Sequence, residues 1–246
     1  MKTFYFLFVS LLIISCQEKT FADDITLVYP KNTKMKIQEF NEDLDEFGTE
    51  IIYFGKHNKK IGVRYYKHFY PIPVNAIEKN DKLLLPYFRS QNLSQGETHY
   101  KDMSKELNSK NLEIIVKSND TIPLYKNNGF ENKLKKYKAF PVFVKNISSK
   151  TLKIPTTTIF SFLFFKNQNN KWQSVRNSYY MIEGYGKVQP FFELKPNEIL
   201  VYAYPYFKKG KTHKAKVKFY DASSKEFDIS IDDEIIKNQR ACYFIE

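Results

Sequence analysis

The feature that most restricts the fold is a two-residue alternation near the C-terminus. Ala215, Val217 and Phe219 alternate with Lys214, Lys216 and Lys218, and Phe227, Ile229 and Ile231 alternate with Asp228, Ser230 and Asp232. A period of two puts the apolar members of each set on one face of a strand, and that face must be buried. A loop at Ala222-Ser223-Ser224 sets Phe219 opposite Phe227 and Val217 opposite Ile229 inside, with Lys218 opposite Asp228 and Lys214 opposite Asp232 outside. A slip of one residue would carry aspartates into the core. Segments 140–144, 159–165, 172–175, 188–194 and 199–204 share this strand-like character and are separated by Asn, Ser, Lys, Pro and Gly. With the final pair they make seven short strands in about 100 residues, which predicts a two-sheet sandwich.

The first half is less regular. Residues 25–29 read as a strand, and Ile37, Phe40, Leu44 and Phe47 share one face of a helix that Gly48 would end. Glu42, Asp43, Asp45 and Glu46 crowd the C-terminal half of that helix, where its dipole prefers cations. Residues 50–54 and 61–66 read as a hairpin around the polar turn 55–60. A second hairpin is expected from 112–116 and 121–125 around Ser118-Asn119-Asp120, with Pro123 marking an edge strand. Tyr100, Met103 and Leu107 suggest one short helix between them. The lysine-rich stretch 126–136 is where a boundary is expected. The fold class is therefore mainly β, with a smaller mixed β/α region at 25–135 and a β-sandwich domain at 136–246.

The corner Val144-Lys145-Asn146-Ile147-Ser148-Ser149 and the turn Leu194-Lys195-Pro196-Asn197-Glu198 sit within this pattern. The segment from about 137 to 236 resembles the immunoglobulin-like sandwiches of bacterial lipoproteins. The resemblance implies a fold and no activity.

The chain opens with Met1-Lys2-Thr3 and an apolar run over 4–14, which has the form of a secretory signal. Eleven residues are too few to cross a hydrocarbon core needing roughly 20. Ile13-Ile14-Ser15-Cys16 resembles the bacterial lipobox. That resemblance implies a signal peptide at 1–15, lipidation of Cys16, and a lipid-anchored tether over 16–24. Gln17 after the cysteine implies release to the outer membrane, and hence a cell-envelope location. Cys242 is the other cysteine, so with Cys16 acylated there is no disulfide framework and the core alone must hold the fold.

The net charge is +12, yet the basic residues other than Arg64, Arg89, Arg176 and Arg240 are lysine. Nucleic-acid recognition leans on the guanidinium fork, so this composition reads as a solvated lysine coat and no nucleic-acid partner is expected. Weak, salt-sensitive attraction to anionic envelope polymers fits the same charge.

Catalytic spacings are missing. Eight glycines include no phosphate-cradling loop. His57, His68, His99 and His213 lack zinc-ligand spacing, so no metal or cofactor is expected, and there is no Gly-x-Ser-x-Gly elbow. The acidic runs at 23–24, 42–46 and 232–234 read as solvated surface or, in a hydrolase, as paired carboxylates. The stretch from Trp172 to Gly186 reads as a tyrosine-rich loop in which Trp172, Tyr179, Tyr180 and Tyr185 could stack on a sugar or anchor a protein partner. In so aromatic a chain Trp172 reads first as a core residue and only second as a binding one. The expectation is an envelope protein acting as a non-catalytic binding module toward a protein or glycan partner. A periplasmic inhibitor or immunity lipoprotein and an envelope glycan or peptide hydrolase are the alternatives.

Overall fold

The structure, a computed structural model, describes residues 19–40, 42, 46–47, 50–66, 81–92, 105–128, 133–155, 161–176 and 188–239. The fold is mainly β. Its centre is the pair β8 (Lys133–Asn146) and β13 (Glu198–Pro205), which run antiparallel with Val144 opposite Leu200 and Tyr202 opposite Val142. Residues 198–203 of β13 are buried without alternation, as expected of a strand covered on both faces. Phe140, Val142 and Val144 on one face and Tyr137, Ala139 and Phe143 on the other belong to two separate apolar cores.

The sheet widens on both sides of this pair. Strand β3 (Ile51–Lys56) joins β13, with Phe54 opposite Leu200. On the far side of β8 lie β6 (Leu112–Val116) and β7 (Ile122–Asn128), and β7 also carries β2 (Glu46–Phe47). The expected hairpin between 112–116 and 121–125 does not form. Both segments pair with β8 in succession, Val116 opposite Val142 and Ile122 opposite Ala139. Pro141 accounts for the gap between them. Its carbonyl accepts Lys117 N–H (3.1 Å) but it has no N–H to return, so the ladder lapses and residues 118–121 loop out. The hydroxyl of Tyr206 lies 2.6 Å from Ser118 O and closes that loop.

A second sheet faces the first. Strands β10 (Ser161–Lys166), β11 (Trp172–Val175), β14 (Lys211–Phe219), β15 (Ala222–Ser223) and β16 (Phe227–Ile231) place Leu163, Phe165, Val217 and Ile231 in one core with Phe140, Val142 and Val144. A third, smaller sheet of β5 (Phe88–Asn92), β9 (Leu152–Pro155) and β12 (Val188–Leu194) contributes Ile154 and Phe192 to that core. The helix α1 (Asp233–Lys237) buries Ile235 in it. Asp232 caps α1 by accepting Glu234 N–H (2.8 Å).

The register expected for the last pair is off by four residues. Phe227 lies opposite Ala215 and Lys214 opposite Asp228, because the chain turns at Tyr220 (φ 53°) and Asp221 instead of at 222–224. Ala222 then pairs with Phe219 and Ser223 with Lys218, and one extra residue is inserted before Phe227. This bulge preserves the hydrophobic face: without it Phe227 would lie opposite Lys214 on the outer side. Ser224 Oγ accepts Val217 N–H (3.0 Å) at the irregularity.

Three other expectations are corrected. The described residues of 37–47 contain no helix, since Lys36 bridges to Tyr137 and Glu46–Phe47 is strand; the carboxylates noted there leave a helix C-terminus unfavourable. The hairpin 50–54/61–66 is absent because β3 pairs with β13 while β4 (Lys60–Gly62) pairs in parallel with β1 (Thr26–Val28). The expected boundary in 126–136 falls within the β7–β8 pair, so regions 25–135 and 136–246 share one sheet. The expected helix at 100–107 falls mostly outside the described residues.

The second face of the central sheet is covered by the N-terminal segment. Ala22 and Ile25 are buried against Tyr137, Phe143 and Val201, with Ile61 and Val63 beside them. Asp23 accepts from the backbone N–H and the hydroxyl of Thr20 (2.7 and 3.0 Å), and Lys117 Nζ donates to Ala22 O (2.7 Å). Residues 19–24, expected as tether, are thus part of the body.

Candidate functional site

Strand pairing decides which way the sheet of β10, β11, β14 and β16 turns its side chains. Leu163, Phe165 and Val175 face the core, so Phe164, Lys166, Trp172 and Ser174 lie on the opposite face, across from Lys216 and Lys218 of β14. Trp172 is opposite Lys166 on the edge strand. Its ring is half-buried, with the Lys216 ammonium 4.5 Å and the Lys166 ammonium 5.1 Å from the ring centroid. Phe164, although outward-facing, is 2% exposed, and the ammoniums of Lys216 and Lys218 each lie 6.0 Å from its centroid. The reading of Trp172 as a core residue is therefore corrected: it belongs to a basic, aromatic outer face. A lysine over an indole face is held by the ring quadrupole while its alkyl stem covers apolar surface.

Acidic residues frame the same face. Asp228 pairs with Lys214 (2.8 Å) and Glu226 with Lys166 (3.4 Å). The hydrogen bond to Asp228 raises the Lys214 pKa above its usual value. Chemically, this face can stack on a flat or sugar ring through Trp172 and attract an anionic group through the lysines.

Of the candidate binding residues, only Trp172 lies in the described part. Tyr179, Tyr180, Tyr185, the lipidation candidate Cys16 and the second cysteine Cys242 lie outside it. His57 is exposed, with Nε2 3.1 Å from Phe21 O, and His213 is half-buried with its ring edge-on to Phe165. Among the described residues no three His, Cys, Asp or Glu side chains converge as metal ligands. Within the acidic runs, Asp23 is engaged by Thr20 and Lys117, Asp24 by Lys19, Glu42 by Lys36, and Asp233 by Lys211. The Lys211 hydrogen bond holds Asp233 below the usual carboxylate pKa.

A second polar cluster was not apparent in the sequence. Gly55 lies inside β3 at φ +141°, where a Cβ would fall 2.4 Å from Tyr87 Oη. Tyr53 donates its hydroxyl to Lys56 O (2.6 Å). Burial raises the pKa of both phenols, with Glu198 adding to it. Glu198 itself is 6% exposed and accepts Lys195 N–H (2.9 Å). The signal in the sequence was a glycine continuing a strand, which marks a close approach as readily as a turn.

Among the described residues no helix is long and apolar enough to cross a membrane. Comparison of the chain with known protein families, curated proteins and solved structures finds no match.

Proposed function

We propose that the protein is an exported, lipid-anchored envelope protein whose sandwich acts as a non-catalytic binding module. Its contact surface is the basic, aromatic face around Trp172. The observation that carries the reading is the Trp172 ring on the outside of the sheet with the ammoniums of Lys216 and Lys166 4.5 and 5.1 Å from its centroid. An aromatic platform flanked by cations suits a ligand that is polyhydroxylated and acidic, such as a uronic-acid or phosphate-bearing glycan. The lipobox-like Ile13-Ile14-Ser15-Cys16 supports the address.

Because Trp172 is the chain's single tryptophan, its fluorescence reports this face directly. Titration with an acidic envelope oligosaccharide is expected to give a saturable change that weakens with salt and with Lys216→Ala. A neutral oligosaccharide of equal length should do much less. No change with either ligand refutes the glycan reading. Stoichiometric capture of a single envelope protein by the same face would then favour the inhibitor alternative. Intact mass and membrane fractionation of the wild type beside Cys16→Ala test the anchor: an unacylated, soluble wild type removes the membrane from the proposal.

A further inference from the structure

We propose that the side of the molecule covered by the N-terminal segment rests against anionic lipid headgroups, so that the Trp172 face points away from the membrane. The inference rests on the lipidation of Cys16 proposed above and adds an orientation and a second contact surface to it.

The argument begins with where the body takes hold of the chain. Ala22 is fully buried and Ile25 nearly so, Lys117 Nζ donates to Ala22 O, and the Lys145 ammonium lies 5.6 Å from the Phe21 ring centroid. Two residues, Gln17 and Glu18, separate Cys16 from Lys19, the first described residue. A chain spans at most about 3.5 Å per residue, so Cys16 lies within about 10 Å of Lys19. A free nine-residue tether over 16–24 would reach about 30 Å and leave the body unoriented. An acyl group at the end of so short a lead brings this side to the bilayer.

That side is basic. The β3–β4 connection carries Lys59 and leads into Lys60, both exposed, and it touches the docked segment through His57 to Phe21 O (3.1 Å) and through Thr26 N–H to Lys59 O (2.8 Å). Ile61 and Val63 turn inward to the core, so Lys60 and the exposed Arg64 turn outward. Val28, 39% exposed, adds an apolar contact on the outward side of β1. The nearby carboxylates are engaged within the body: Asp23 by Thr20 and Lys117, and Asp24 by Lys19 (2.8 Å), although Asp24 also lies in electrostatic reach of Lys59 and His57. Lys59, Lys60 and Arg64 thus lie on the outward side of the chain that holds the docked segment, and an anionic bilayer attracts each such cation within a Debye length. The central sheet lies between this side and the sheet carrying Trp172.

The test is lysine footprinting of the purified, acylated full-length mature protein with a water-soluble amine reagent. It is run in detergent, on phosphatidylcholine vesicles, and on vesicles of phosphatidylcholine with phosphatidylglycerol. On the anionic vesicles, labelling of Lys59 and Lys60 is expected to slow by about fivefold or more relative to detergent, while exposed Lys171, Lys209 and Lys225 keep their rates. Equal protection of both groups, or protection of the second alone, overturns the proposal. Replacing Lys59, Lys60 and Arg64 by Gln should weaken binding of the non-acylated Cys16→Ala chain to the anionic vesicles by at least about tenfold. The same number of Gln changes at Lys171, Lys209 and Lys225 should leave it within about twofold. Equal losses would also overturn the proposal. Intact mass separately reports whether Cys16 is acylated, so failure of the anchor and failure of the surface read differently.

Discussion

Replacing Asn146 by alanine should be among the most destabilising changes available away from the apolar cores. Asn146 is fully buried and holds two turns together. Its Nδ2 donates to Lys150 O (2.7 Å) and Leu194 O (2.8 Å), and its Oδ1 accepts from Ser148 N–H (2.9 Å) and Ser148 Oγ (2.7 Å). Its own carbonyl accepts Asn197 N–H (2.9 Å), in a turn where Asn197 takes φ 63°. The bond to Leu194 O is wholly enclosed and leaves an unsatisfied carbonyl when removed, for about 1.5 kcal/mol; the three partly enclosed bonds net about 0.5–1 kcal/mol each. The sum for Asn146→Ala is about 3–4 kcal/mol, or roughly 10 °C in Tm for a chain of this size. Asn146→Asp should be at least as severe, because a carboxylate would face two carbonyls. The assay is urea unfolding followed by Trp172 fluorescence and circular dichroism, with Asn111→Ala as control. Asn111 Nδ2 bonds Glu106 O on the exposed surface, and its loss should cost under about 1 kcal/mol. A loss below about 1 kcal/mol for Asn146→Ala at unchanged m would refute the idea that this side chain locks the two turns.

Gly55→Ala should cost about 2 kcal/mol, from the φ of +141° and the approach to Tyr87, measured by thermal unfolding; Tyr87→Phe in the same background should return only the part due to the hydroxyl. Tyr206→Phe should cost about 1 kcal/mol and speed tryptic cleavage after Lys117, since the hydroxyl binds Ser118 O and closes the 118–121 loop. Burial pushes the Tyr204 phenol up to about 12; its oxygen lies 3.5 Å from the carbonyl of Val175, a residue with no exposed surface. The unfolded phenol releases its proton near 10, so the folded state holds that proton longer. The stability from neutral Tyr204 is complete below pH 10 and falls by about 2–3 kcal/mol as pH rises to 12. Denaturation of Tyr204→Phe beside wild type at pH 9 and pH 12 should show the difference; parallel losses would refute it.

Much of the β architecture was legible in the sequence, because strand periodicity is local. Ala215, Val217 and Phe219 had to share a buried face whatever they met, and they do. The strand at 199–204 was readable for the same reason, an apolar run long enough for a doubly buried strand. Partners were not legible. Residues 50–54 and 61–66 looked like a hairpin, but each found a better-matched neighbour far along the chain, β13 for β3 and β1 for β4. The place of Trp172 turned on register: one residue either way would have put its ring in the core.

The sequence by itself determined the strand-rich composition, the basic charge and the faces that need burial, since these depend on residues two or four apart. The tertiary structure alone decided that 25–135 and 136–246 share a sheet, that a bulge keeps Phe227 on the core side, and that residues 19–24 are held against the body. Those outcomes depend on which distant surfaces fit one another, and the free energy of that fit is absent from any local window of the chain.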